Sequence, residues 1–182
     1  MLTDEQLMLD FQRGSKDAFT ELFGRYRQPI YGFFRRRLAD AARAEELAQE
    51  TFLAVLRAVA RYEPRALFRT YLYGIALLQL AAERRRSAHR VAIFDLTTAD
   101  PPAAGDTEAT VAIRQALEKL GPDEREVLML REYEQLSYAE IAALQRVPIN
   151  TVRSRLFRAR LALKELLLGP RGAKRGLRGP VL

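Results

Sequence analysis

Between Leu136 and Leu168 the chain reads LSYAEIAALQRVPINTVRSRLFRARLALKELLL, two helix starts separated by one tight turn. Ser137-Tyr138-Ala139-Glu140 has the form of a capping box, in which the serine hydroxyl accepts from the Glu140 N–H and the glutamate reaches back. A short helix follows, with Ile141 and Leu144 on its buried side. Arg146-Val147-Pro148 ends it, because proline has no N–H to donate and restricts the residue before it. A second helix starts near Ile149. Val152, Leu156, Ala159 and Leu163 recur at spacings of four, three and four, which lays one apolar stripe along it. The other side carries Asn150, Thr151, Arg153, Ser154, Arg155, Phe157, Arg158 and Arg160. Helix, turn and basic helix is the pattern of a helix-turn-helix, whose second helix lies in the DNA major groove.

A row of arginines is ordinarily a solvated face. Here the helix carries no acid until Glu165, so the i,i+4 salt-bridge lacing of such a face is missing. Thr151 and Ser154, short donors suited to phosphates and base edges, interleave with the arginines. The reading is therefore uncompensated charge aimed at DNA. A net charge of +7 agrees, as a statement about partners and not about fold.

With 182 residues, 48% of them apolar, the chain can fill one core or two small ones. It has no cysteine, which excludes disulfides and thiolate metal sites, and its single histidine, His89, leaves almost nothing from which to build a zinc site or a His-based triad. With no nucleophile constellation and no phosphate-cradling glycine loop, neither an enzyme nor a cofactor is expected. MLTDEQLMLD lacks the basic start and apolar core of a signal peptide. No run approaches the roughly 18 apolar residues of a membrane span. A cytoplasmic protein is expected.

Taken in order, Thr3-Asp4-Glu5-Gln6 is a second capping box, opening a helix that Gly14 closes. Ser15 caps a longer helix whose face runs through Ala18, Leu22, Tyr26, Ile30 and Phe33 or Phe34, with a bend or break expected at Pro29. Asp40 caps a helix to about Arg61, cored by Leu47, Phe52, Val55, Leu56 and Val59. Its surface carries Glu45, Glu46, Gln49 and Glu50, either anions placed favourably near a helix start or a docking patch for a basic partner. Tyr62-Glu63-Pro64-Arg65 is a turn. The next helix, Ala66 to about Arg90, holds Phe68, Tyr71, Leu72 and Ile75 at core spacing and ends in Glu83-Arg84-Arg85-Arg86. Those arginines suit a helix C-terminus, and, behind the aromatics, also a single DNA strand. Residues 91–107, rich in acids and breakers, read as a flexible linker. A second lobe over 108–169 opens with Ala109, Ala112, Ile113, Ala116, Leu117 and Leu120 as a seam, continues with a helix from Asp123 to Tyr133, and closes with the helix-turn-helix. Residues 170–182 read as a basic disordered tail. The expected fold is all-α: two small helical domains joined by an acidic linker.

Two groups of motifs resemble the extracytoplasmic-function sigma factors, the minimal two-domain class of bacterial RNA polymerase sigma factors. Asp17-Ala18-Phe19, Ala44-Glu45-Glu46-Leu47-Ala48-Gln49-Glu50-Thr51-Phe52 and Thr70-Tyr71-Leu72-Tyr73-Gly74-Ile75-Ala76 look like the promoter-melting domain over 1–90. Leu136 to Ala142 and Asn150 to Arg160 look like the domain that reads the upstream element. The resemblance implies that Glu46, Leu47, Gln49, Glu50 and Phe52 meet the clamp helices of the largest subunit of core RNA polymerase. It implies that Asn150, Thr151, Arg153, Ser154, Phe157 and Arg158 meet the minus-thirty-five element, with Arg131 on the backbone beside it. The minus-ten element would be met by the loop from Tyr62 to Phe68, with Arg65, and by Tyr71, Arg84 and Arg85. The resemblance implies that this loop captures a flipped base, which would be held by a shaped pocket and edge hydrogen bonds. An anti-sigma factor is a further expected partner.

Four positions depart from the family pattern. Tyr71 stands for a usual tryptophan, Leu78 for a usual asparagine, Ala82 for a frequent aspartate and Asn150 for a frequent glycine. Leu78 cannot hydrogen-bond a base. Beside a promoter-directing factor stand three other readings: a sigma mimic that titrates an anti-sigma factor without opening DNA, a dimeric helix-turn-helix repressor, and, more remotely, a recombinase.

Overall fold

The computed structural model describes residues 2–93 and 108–168, with the side chains of 89–93 and 110 left aside. All regular structure among the described residues is helical. The chain divides into two compact units, Met1–Asp100 and Pro101–Leu182. Of the expected linker, 91–93 continue a helix while 94–107 lie outside the described residues, as do the tail and the side chain of His89.

In the first unit α1 (Asp4–Gln12) starts with a complete capping box from Thr3 to Gln6. Gly14, at φ +106°, turns the chain at little steric cost, and the Ser15 hydroxyl accepts from Ala18 N–H to start α2 (Lys16–Arg35). Of the bend or break expected at Pro29, the break does not occur: α2 continues through it. Proline costs a helix interior about 3 kcal/mol, and burial of Ile30, Phe33 and Phe34 just beyond it, each 0% exposed, outweighs that. Asp40 caps α3 (Ala41–Ala58), which tightens into a 3₁₀ turn, Val59–Arg61. α4 (Phe68–Ile93) starts two residues later than the apolar spacing suggested and runs three further. The four helices bury Leu7, Met8, Leu22, Leu47, Phe68, Leu72 and Leu80.

In the second unit α5 (Glu108–Glu118) leads to α6 (Pro122–Glu132), α7 (Tyr138–Gln145) and α8 (Ile149–Leu168). The expected α5 seam is only half covered. Ala116 and Leu120 are buried, but Ala109, Ala112 and Ile113 are exposed, so the cover over α5, which packs on α8, reaches only its C-terminal end. Val127, Leu128, Met129 and Leu130 of α6 and Val152, Leu156 and Ala159 of α8 fill the core. The Ser137 capping box is complete. The turn after α7 depends on Arg146 as well as Pro148: Arg146 adopts a left-handed conformation (φ 55°) and its N–H closes the helix end.

Candidate nucleic-acid interface

The apolar stripe of α8 faces inward, so its polar side is on the surface. Asn150, Arg153, Ser154, Phe157 and Arg158 are exposed and Thr151 is half-buried. Phe157 is 69% exposed, a full aromatic ring presented to solvent beside Arg153 and Arg158. Arg153 donates to Asn150 Oδ1 at 3.2 Å, and the Ser154 hydroxyl donates to the Thr151 carbonyl at 3.0 Å. Arg131, on α6, places its Nη1 on the Leu136 carbonyl at 2.9 Å and its guanidinium over the Tyr138 ring.

Three of the four arginines of α8 are compensated by acids. Arg155 pairs with Asp123 and donates to Gln145 at 3.1 Å, Arg158 pairs with Glu124, and Arg160 pairs with Glu132 at 2.7 Å. The acids come from α6, roughly thirty positions earlier, and helical spacing within α8 carries no trace of them. Asp123, Glu124 and Glu132 are neighbours of the basic face that the sequence reading missed.

In the first unit the loop between the 3₁₀ turn and α4 is held at both ends by α1. The Gln12 side-chain amide donates to the carbonyls of Val59 and Tyr62, at 2.8 and 3.1 Å. Glu5 accepts from the Phe68 N–H at 2.7 Å and so caps α4. Neither contact has a local sequence signal. Tyr62 and Phe68, expected at the DNA strand, are 5% and 1% exposed and belong to an aromatic cluster with Tyr71 and Tyr26. Burial pushes the Tyr62 phenol up to about 12, and its hydroxyl, buried, has no hydrogen-bond partner. What the loop offers to solvent is Glu63, Pro64, Arg65, Ala66 and Leu67, with Arg65 Nε on Glu63 at 2.6 Å. Along α4, Tyr71 is half-buried, Ala82 is half-buried, Leu78 is 72% exposed, and Arg84 and Arg85 are exposed.

The five residues expected at polymerase separate into two sets. Glu46 and Gln49 are exposed and Glu50 is half-buried, whereas Leu47 (0%) and Phe52 (5%) are core, because the helical repeat turns them under α3. Arg43 ties the acids together, with Glu46 at 2.7 Å and Glu50 at 3.3 Å. Beside them α2 and α3 form a groove lined by Phe23, Arg27, Gln28, Tyr31, Glu45, Ala48, Gln49 and Phe52. Phe23 is 39% exposed and leans on Phe52 edge to face.

Family models match both units: sigma-70 region 2 over residues 22–91 and sigma-70 region 4 over 110–163. The RNA polymerase sigma-H factor of Pseudomonas aeruginosa is 37% identical over 90% of this chain and 93% of its own. An ECF RNA polymerase sigma-E factor of Haemophilus influenzae is 31% identical over 87% of this chain and 92% of its own. The chain belongs to the extracytoplasmic-function sigma factors. As a sigma factor it is a promoter-directing transcription initiation factor and not an enzyme. A solved relative, the sigma factor RpoE of Bartonella quintana in complex with the anti-sigma factor NepR, is 25% identical, with a TM-score of 0.70 over 86% of this sigma factor and 100% of that chain. No described helix of the sigma factor is long and apolar enough to cross a membrane.

Proposed function

We propose that the sigma factor docks on core RNA polymerase through the exposed acids of α3 and the adjoining α2–α3 groove, against the clamp helices of the largest subunit. It then lays α8 in the major groove of the minus-thirty-five element. The loop at 63–67 and the exposed side of α4 meet the minus-ten element, and trapping the single strand keeps the duplex open. The buried aromatics Tyr62 and Phe68 act as the floor of the loop and not as its contact surface. The observation that carries the reading is the outer face of α8, where Phe157 stands exposed between Arg153 and Arg158. This assignment puts the protein in the cytoplasm, at the nucleoid, and gives it an anti-sigma factor as its inhibitor, by likeness to the Bartonella complex.

Run-off transcription with purified core polymerase on a library of genomic fragments tests the proposal. Discrete transcripts sharing an upstream and a downstream element support it. The exposed Leu78, where the family usually has asparagine, favours a second reading, the mimic that occupies an anti-sigma factor; tight binding to an anti-sigma factor with no transcript from any fragment establishes that reading instead.

A further inference from the structure

α6 begins at Pro122 with Gly121 in the capping position, and Glu124 lies in its first turn. Oε1 of Glu124 accepts from both Nε and Nη2 of Arg158, at 3.1 and 3.0 Å. Oε2 lies 2.5 Å from the point a Cβ on residue 121 would occupy. The carboxylate is thus folded back over the start of its own helix, a posture open to it because residue 121 has no side chain. Its own backbone N–H, and then Arg158, hold its pKa below the ordinary value. A negative charge is favourable at that helix end. The pair engages the Nε side of the guanidinium and leaves the end-on edge, Nη1 with the second hydrogen of Nη2. That edge matches the O6 and N7 acceptors of guanine. Arg155, one turn earlier, differs: with 19% of its side chain exposed and two partners in α6 and α7, it is a strut for α8.

We propose that Glu124 is the positioning residue for Arg158, holding the guanidinium end-on before DNA arrives, so that it discriminates at one base pair at the expense of affinity for duplex in general. The inference rests on α8 being the base-reading helix. An unheld arginine is free to turn to the nearest phosphate, which carries no sequence information. A held one loses less side-chain freedom on binding. The carboxylate meanwhile repels the phosphate backbone whatever its sequence.

The test uses the full chain bound to core polymerase, with promoter duplexes varied one base pair at a time through the upstream element and binding measured at several salt concentrations. Glu124→Gln should reduce the preference at the Arg158 base pair by about 5–10-fold and raise affinity for a scrambled upstream element by roughly 2–5-fold. Gly121→Ala keeps the net charge, and its backbone (φ −55°, ψ 148°) suits alanine, so only the end of the Glu124 side chain must move. It should lose the same preference without the gain on scrambled DNA. Equal gains on every sequence from Glu124→Gln, with preference intact in both variants, overturn the proposal and leave Glu124 a repulsive charge only. If Arg158→Ala itself changes preference at no base pair, the assignment of α8 as reader falls, and the proposal with it. If Arg158→Ala acts and the other two variants do not, the proposal falls alone.

Discussion

Arg43 and Glu83, forty positions apart, join α3 to α4: Nε and Nη2 of the arginine both donate to one oxygen of the glutamate, at 3.0 and 2.8 Å. The glutamate side chain is 4% exposed. Burial raises its pKa, but Arg43, with Arg86 and Ser87 behind it, more than reverses this, and the carboxyl titrates below its ordinary 4.5. A carboxyl whose folded pKa is depressed stabilises the fold above its unfolded pKa, and the contribution is lost as pH falls through the folded value. Arg43→Ala should cost about 2–4 kcal/mol, because it leaves a buried carboxylate without its main partner. Amide exchange in α3 and α4 at pH 7 measures that cost. In wild type, protection there should weaken below pH 4.5 more than in Glu83→Gln.

Gln12 is the clamp on the loop that carries Arg65. Gln12→Ala should speed amide exchange over residues 62–68 and reduce single-strand binding of the downstream element by roughly tenfold, for two lost hydrogen bonds of about 0.5–1.5 kcal/mol each. Upstream-element affinity should not change. Footprints of the two elements on one promoter separate these effects.

The buried Tyr62 hydroxyl has no partner, so Tyr62→Phe should leave stability unchanged or raise it by up to about 1 kcal/mol. Permanganate reactivity of unpaired promoter thymines, measured alongside, shows whether the hydroxyl is used once DNA is bound. Reactivity should be unchanged; its loss at undiminished stability would contradict Tyr62 as the floor of the loop.

Phe157 contributes little to the fold and much to the surface. Phe157→Ala should change unfolding free energy by less than about 0.5 kcal/mol and weaken upstream-element binding markedly. Arg158→Ala should cost roughly 1–3 kcal/mol of recognition at one base pair while leaving polymerase affinity unchanged. Binding titrations on single-base promoter variants read both.

Arg146 holds a left-handed backbone that glycine adopts without steric cost. Arg146→Gly should stabilise the helix-turn-helix by about 0.5–1 kcal/mol, read as slower amide exchange in α7.

What was legible in the sequence is what short spacing determines. Thr3, Ser15, Asp40 and Ser137 each cap a helix through partners two or three residues away, and each stands where its motif put it. Alternation of apolar residues located the α8 stripe, because Val152, Leu156 and Ala159 need only a helical period to share a side. Long-range pairing has no such signature. Nothing within α8 announces that Glu124 waits for Arg158, or that Gln12 holds the Tyr62 carbonyl. Periodicity also says which residues share a face, but not whether anything covers it; hence Ile113 is exposed where a seam was expected. A motif match names positions without their depth: Tyr62, Phe68, Leu47 and Phe52 are buried, as the core spacing of the last three implies, and the exposed residues beside them form the surface.

Titration of the labelled chain with purified core RNA polymerase is the decisive measurement, since every proposed DNA contact is made by the chain clamped to polymerase. A saturable one-to-one complex is expected, weakened when Gln49 in the α3 groove is replaced by arginine and unaffected by Phe157→Ala on α8. Failure of the wild-type chain to bind core polymerase, whatever its affinity for DNA, would contradict it.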